Sequence, residues 1–145
     1  MQWYLVNKKR LKAEIKLMED NGVNFDLYTD DRENLFWRGA LRVSGHYHGD
    51  VRLVYNQNHP YVQMDDYVLD PQLPQTTHHI FSDGRICYIG PAEWSPEWTA
   101  FAVYLTTIRF LEDFYAGRMC GHIPILDVPR ERSFLEKFLD VTFPW

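Results

Sequence analysis

Two thiols occur in the 145-residue chain, at Cys87 and Cys120. One of them lies in a run whose residue types could support nucleophilic chemistry: Thr77-His78-His79-Ile80-Phe81-Ser82-Asp83-Gly84-Arg85-Ile86-Cys87-Tyr88. The Ser82-Asp83-Gly84 stretch is a turn signal, and Trp94-Ser95-Pro96 follows seven residues after the thiol. A cysteine between a turn and a helix start sits in the kind of loop that presents reactive groups on a rigid scaffold. A thiolate is the strongest side-chain nucleophile near neutral pH and can carry an acyl group as a thioester. The bland alternative is a small buried hydrophobe. That is the reading for Cys120, whereas the setting of Cys87 favours chemistry. His79 can support the loop through a backbone hydrogen bond. His78 reads as exposed and idle.

These residues need elements to position them. Residues 5–20 read as a helix, with Leu11, Ile15 and Met18 on one apolar stripe and Lys8, Lys12 and Lys16 on a second; Asn21-Gly22 stops it. Asn24–Tyr28, Leu35–Val43 and Val51–Tyr55 read as strands of an antiparallel meander. The intervening turns are Thr29-Asp30-Asp31-Arg32, Ser44-Gly45 and His48-Gly49-Asp50. After Tyr55, prolines at 60, 71 and 74 mark an extended crossing segment. Asp65-Asp66 reads as surface loop, and Thr77–Phe81 as a brief pairing segment. Ser95 is the expected N-cap of a second helix with Pro96 in its first turn, and Gly117 ends it. A short C-terminal helix is expected from near Pro129. Segregated strands and helices predict an α+β fold in a single domain over residues 1–145.

Composition excludes several classes. A net charge of −5 provides no global basic field for nucleic acid. No apolar run approaches a membrane span, and the N-terminus carries no signal-peptide pattern, so a cytoplasmic location is the default expectation. Two cysteines are too few for a disulfide framework or a four-Cys zinc site. His46-x-His48 could be a metal pair on a strand, but the flanking Gly45 and Gly49 favour a turn, and neither metal nor small cofactor is expected.

Gly84-x-Ile86-Cys87 with Trp94-Ser95-Pro96-x-x-Thr99 downstream resembles the ubiquitin-conjugating enzymes, as does the order of helix, meander and second helix over roughly residues 5–117. His59-Pro60 stands where that family has a Tyr-Pro motif, and Thr77-His78-His79 where it has His-Pro-Asn. The cysteine-to-tryptophan spacing is about one residue shorter than usual, and the C-terminal part departs from the family. The His-x-Phe-x-Asp-Gly-x-Ile-Cys-Tyr run and Glu93-Trp94-Ser95-Pro96 resemble most the short conjugating-enzyme-like proteins of bacterial antiphage CBASS operons.

The resemblance implies the ubiquitin-conjugating fold, with about four antiparallel strands, and a transferase that accepts a partner's C-terminus at Cys87 and passes it to an amine. The acyl donor would be a ubiquitin-like protein or, in the CBASS setting, a cGAS-like nucleotidyltransferase. By position, the oxyanion role falls to His79. His122, in the loop after the second helix, is a candidate base. The Lys8, Lys12, Lys16 stripe fits the family's docking surface for an activating enzyme, although such a stripe is also an ordinary solvated face. The competing readings are a non-catalytic binding module of the same fold and a thiol hydrolase, for which no signature of an oriented histidine exists.

Overall fold

The β-branched and aromatic runs in the first half of the chain form one four-stranded antiparallel sheet in strand order 1-2-3-4 in the computed structural model, which describes residues 1–74 and 79–117. Its strands are β1 (Asp26–Thr29), β2 (Leu35–Val43), β3 (His46–Val54) and β4 (Asp65–Asp70). Helices α1 (Trp3–Val6) and α2 (Lys8–Asp20) precede the sheet, and α3 (Ala100–Tyr115) follows it. The α+β class and the antiparallel meander are therefore as expected.

Alternation decides which face of the sheet is buried. Trp37, Leu41 and Val43 of β2, Val51 and Leu53 of β3 and Val68 of β4 face the core, where α3 lies against β2 and β3 and beside α2. The alternation of β3 breaks between His48 and Val51, because Gly39 pairs with Val51 while Leu41 pairs with His48. His48-Gly49-Asp50, expected as a turn, is thus a bulge inside a continuous strand, and β3 begins five residues earlier than expected, at His46. An extra residue in one strand bends and twists the pair without ending it.

Other boundaries differ for local reasons. The expected 5–20 helix is two helices, interrupted at Asn7, whose side chain accepts a hydrogen bond from the Arg10 N–H at 3.1 Å and caps α2. The first strand begins at Asp26 rather than Asn24. Ser95 is not the cap of α3: Thr99 is, its hydroxyl accepting from the Ala102 N–H at 3.2 Å. Ser95 instead starts a separate turn, its carbonyl accepting from the Trp98 N–H at 3.1 Å, so Pro96 lies before the helix and not in its first turn. Asp65-Asp66 is not surface loop but the start of β4. The helix expected near Pro129 lies outside the described residues.

The inner face of α2 is only partly the apolar stripe its spacing predicts. Leu17 and Met18 are buried, but so are Arg10 and Glu14. The Glu14 carboxylate accepts from the Tyr55 hydroxyl at 2.7 Å, the Ala100 N–H at 2.8 Å and the Arg10 guanidinium at 3.0 Å, with His59 Nε2 at 3.3 Å. Arg10 also donates to the Trp98 carbonyl at 2.6 Å, and Trp37 donates to the Tyr55 hydroxyl at 2.9 Å. Burial raises the cost of the Glu14 charge, but these hydrogen bonds and cations outweigh it and its pKa falls below the ordinary value. One carboxylate thereby joins α2, the end of the sheet and the start of α3, and the several hydrogen bonds it accepts are what make its burial tolerable.

Candidate active site around Cys87

Cys87 is placed by a small hairpin. The Phe81 N–H donates to the Arg85 carbonyl at 2.8 Å and the Cys87 N–H to the His79 carbonyl at 2.7 Å, with Ile80 and Ile86 bridged between them. The expected pairing of 77–81 is therefore seen for its described part, 79–81. Gly84 turns the chain at φ +91°, a left-handed conformation that glycine adopts at little cost, and a Cβ there would meet Leu69 Cδ2 at 2.7 Å. The hairpin is stitched to β4: the Val68 N–H donates to the Gly84 carbonyl at 3.0 Å and the Ile86 N–H to the Asp66 carbonyl at 2.8 Å. Tyr88 anchors the outgoing chain by donating its hydroxyl to the Met64 carbonyl at 2.8 Å. The thiol thus rests on an extension of the sheet.

The Cys87 side chain is half-buried and opens into a groove of about 300 Å³. Met64, Ile86 and Ile89 give this groove an apolar floor, while Asn56, Gln63, Asp65 and Arg85 supply polar groups. Burial pushes the Cys87 thiol up, and backbone hydrogen bonding at Ile89 offsets part of the effect. The resting thiol is therefore protonated at neutral pH, and any attack by the sulfur requires its deprotonation.

Beneath the hairpin, Asp66 is fully buried and bonded to the Thr107 hydroxyl of α3. That hydroxyl also lies 2.9 Å from the Val103 carbonyl, which can only accept. A hydroxyl has one proton to give. Both contacts are satisfied when Thr107 donates to Val103 and a protonated Asp66 donates to Thr107. Burial pushes the Asp66 carboxyl up to about 8, in agreement with that assignment.

The other residues singled out from the sequence are distributed as follows. His79 adopts φ +64° and holds the Cys87 N–H through its carbonyl; it is not among the residues lining the thiol groove. Lys8, Lys12 and Lys16 are exposed on α2, where Lys16 pairs with Asp20 at 2.9 Å. A second groove, of about 330 Å³, lies at the start of α2 and is lined by Lys9, Arg10, Pro60, Tyr61 and Pro96. The His46 ring stacks on Tyr115 at 3.8 Å, and His48 is buried with Nε2 against the Tyr115 hydroxyl. His78, Cys120 and His122 lie outside the described residues. Sequence reasoning missed Asn56, Gln63 and Asp65 as neighbours of Cys87. The signal available for Asp65 was the β-forming Tyr67-Val68-Leu69 run beside it, which marks a strand rather than a loop. No family model and no curated protein matches the chain.

Proposed function

We propose that the chain is a ubiquitin-conjugating-type transferase with the corresponding fold, in which Cys87 carries a partner's C-terminus as a thioester and delivers it to an amine. The observation that carries this reading is the setting of the thiol. It opens into a groove with an apolar floor and polar walls, at the end of a hairpin fixed to the sheet. A groove of about 300 Å³ admits a narrow extended chain end rather than a folded surface. The order of helices and antiparallel strands before Cys87, and the Trp94-Ser95-Pro96 turn leading to Thr99 and α3, support the same reading.

In the reaction, the donor's thioester exchanges onto Cys87: the new C–S bond forms as the old one breaks, and the thiol proton passes to the departing thiolate. An amine then attacks the carbonyl carbon, an amide forms and Cys87 leaves as thiolate. His79 in this proposal holds the thiol segment in place, its carbonyl accepting from the Cys87 N–H. The exposed Lys8, Lys12 and Lys16 face is the docking surface for an activating enzyme. The donor is a ubiquitin-like protein or a cGAS-like nucleotidyltransferase of a bacterial antiphage operon.

The test is incubation with ATP, a ubiquitin-type activating enzyme and the candidate donors. The expected product is an adduct on Cys87 that thiol reductants remove and that Cys87→Ala abolishes. Donor binding that survives Cys87→Ala, with no reductant-sensitive adduct from any donor, would establish a binding module instead.

A further inference from the structure

We propose that Asp65 is the residue that receives the attacking amine at Cys87, binding its ammonium and taking its proton. This role rests on the thioester reading above. Tyr67 and Arg85 form an antiparallel bridge, flanked by the Val68–Gly84 and Ile86–Asp66 hydrogen bonds. The Ile86–Asp66 hydrogen bond continues that pairing by one residue, and the next residue in each segment is Asp65 and Cys87. Ile86 and Asp66 are buried and point to the core, so Asp65 and Cys87, one residue along in each segment, share the opposite face. Independently of register, both side chains line the same groove.

The charges around Asp65 suit an exchangeable cation. Its neighbour Arg85 stands 3.6 Å away, a loose contact, and is held more closely by Asp83 at 3.0 Å and by the Phe81 ring at 4.8 Å. A lysine ammonium can therefore displace Arg85 from Asp65 without leaving the guanidinium unpaired. Partial burial raises the Asp65 carboxyl above its ordinary value, against the lowering effect of Arg85, which makes it a better proton acceptor than a fully solvated aspartate.

The step balances without any further reactant. The ammonium gives one proton to the Asp65 carboxylate, and the free amine attacks the thioester carbon. The C–N bond forms, and the C–S bond breaks as the tetrahedral adduct collapses. The Cys87 thiolate takes the second nitrogen-borne proton, and Asp65 releases the first to water.

The test charges Cys87 by exchange with a short glycine-ended peptide thioester and then follows discharge by Nα-acetyl-lysine amide and, separately, by hydroxylamine. Hydroxylamine is already neutral near pH 7 and needs no prior loss of a proton. Asp65→Asn is expected to charge normally, to slow lysine discharge at least about tenfold near pH 7 and to leave hydroxylamine discharge unchanged. The lysine deficit should close as pH rises toward the free-amine pKa of about 10.4. Lysine discharge by Asp65→Asn within about twofold of the parent, or equal slowing with both amines, overturns the role of Asp65 and leaves the thioester reading standing. Failure of the parent protein itself to charge at Cys87 overturns that reading and this role with it.

Discussion

Replacing Asp66 by asparagine should change how stability depends on pH. Asp66 is fully buried, and that burial pushes its carboxyl from the ordinary 3.8 up to about 8 against the lowering effect of the Thr107 hydroxyl. Between those two values the folded protein holds a proton that the unfolded chain has released. A group whose folded pKa is raised stabilises fully below the unfolded pKa, and that contribution is lost as pH climbs toward the folded pKa. With one proton of difference, stability falls by about 1.4 kcal/mol per pH unit. Integrated from pH 5 to pH 8 with the cited values, the loss is ~3.5 kcal/mol. The buried histidines act in the opposite direction. Burial lowers His48 and His59, so their contribution grows as pH rises through the ordinary imidazole range. Both variants share these histidines, which therefore cancel in the difference.

The measurement is urea denaturation of the parent and Asp66→Asn at intervals from pH 5 to pH 8. The stability of the variant relative to the parent should rise by ~3.5 kcal/mol across that window, whatever its value at pH 5. Parallel curves, or a difference that falls with pH, would refute the assignment of a neutral Asp66 and make it an ionised partner of Thr107.

Four further outcomes follow from the same geometry. Glu14→Ala removes the counter-ion of buried Arg10 and the acceptor for Tyr55 and the Ala100 N–H, and should cost about 3–5 kcal/mol in denaturant titration. Gly84→Ala forces a Cβ against Leu69 at positive φ and should cost about 1–3 kcal/mol, read as a lower midpoint of thermal unfolding. Thr99→Ala, which removes the cap of α3, should cost about 1 kcal/mol, while Ser95→Ala stays within about 0.5 kcal/mol; the reverse order would restore Ser95 as the cap. Because burial raises the Cys87 thiol, its alkylation by iodoacetamide should keep accelerating above the ordinary thiol value of 9.0, and a plateau below that pH would contradict the buried setting.

The meander was legible in the sequence because Leu35–Val43 alternates apolar and polar residues along its ends, so one face of it had to be buried. The hairpin turn at Gly84 and the termination of α2 at Asn21-Gly22 were legible because positive φ selects glycine. The bulge in β3 was not: His48-Gly49-Asp50 has turn composition, and whether such a triplet reverses the chain or only kinks it depends on the strands on either side. The cap of α3 was misplaced because Ser95-Pro96 and Thr99 both carry start signals, and only the Ser95–Trp98 and Thr99–Ala102 hydrogen bonds show that a turn precedes the helix.

The Asp65-Asp66 pair shows why a candidate site is harder to read than a fold. Adjacent carboxylates in a chain look alike, and charge alone assigns both to solvent. A strand separates them, because successive side chains point to opposite faces. Asp66 goes under the sheet, where burial raises its carboxyl and Thr107 is its partner, and Asp65 goes over it, into the groove that Cys87 enters. The same β4 backbone serves both, since the Asp66 carbonyl holds the Ile86 N–H and so keeps the thiol segment beside the strand that carries Asp65. Loss of the Asp66 proton would introduce charge beneath the strand that aligns the two groups. The neutral acid below and the carboxylate above are therefore consequences of one pairing, and that pairing joins segments about twenty residues apart, beyond the reach of local sequence patterns.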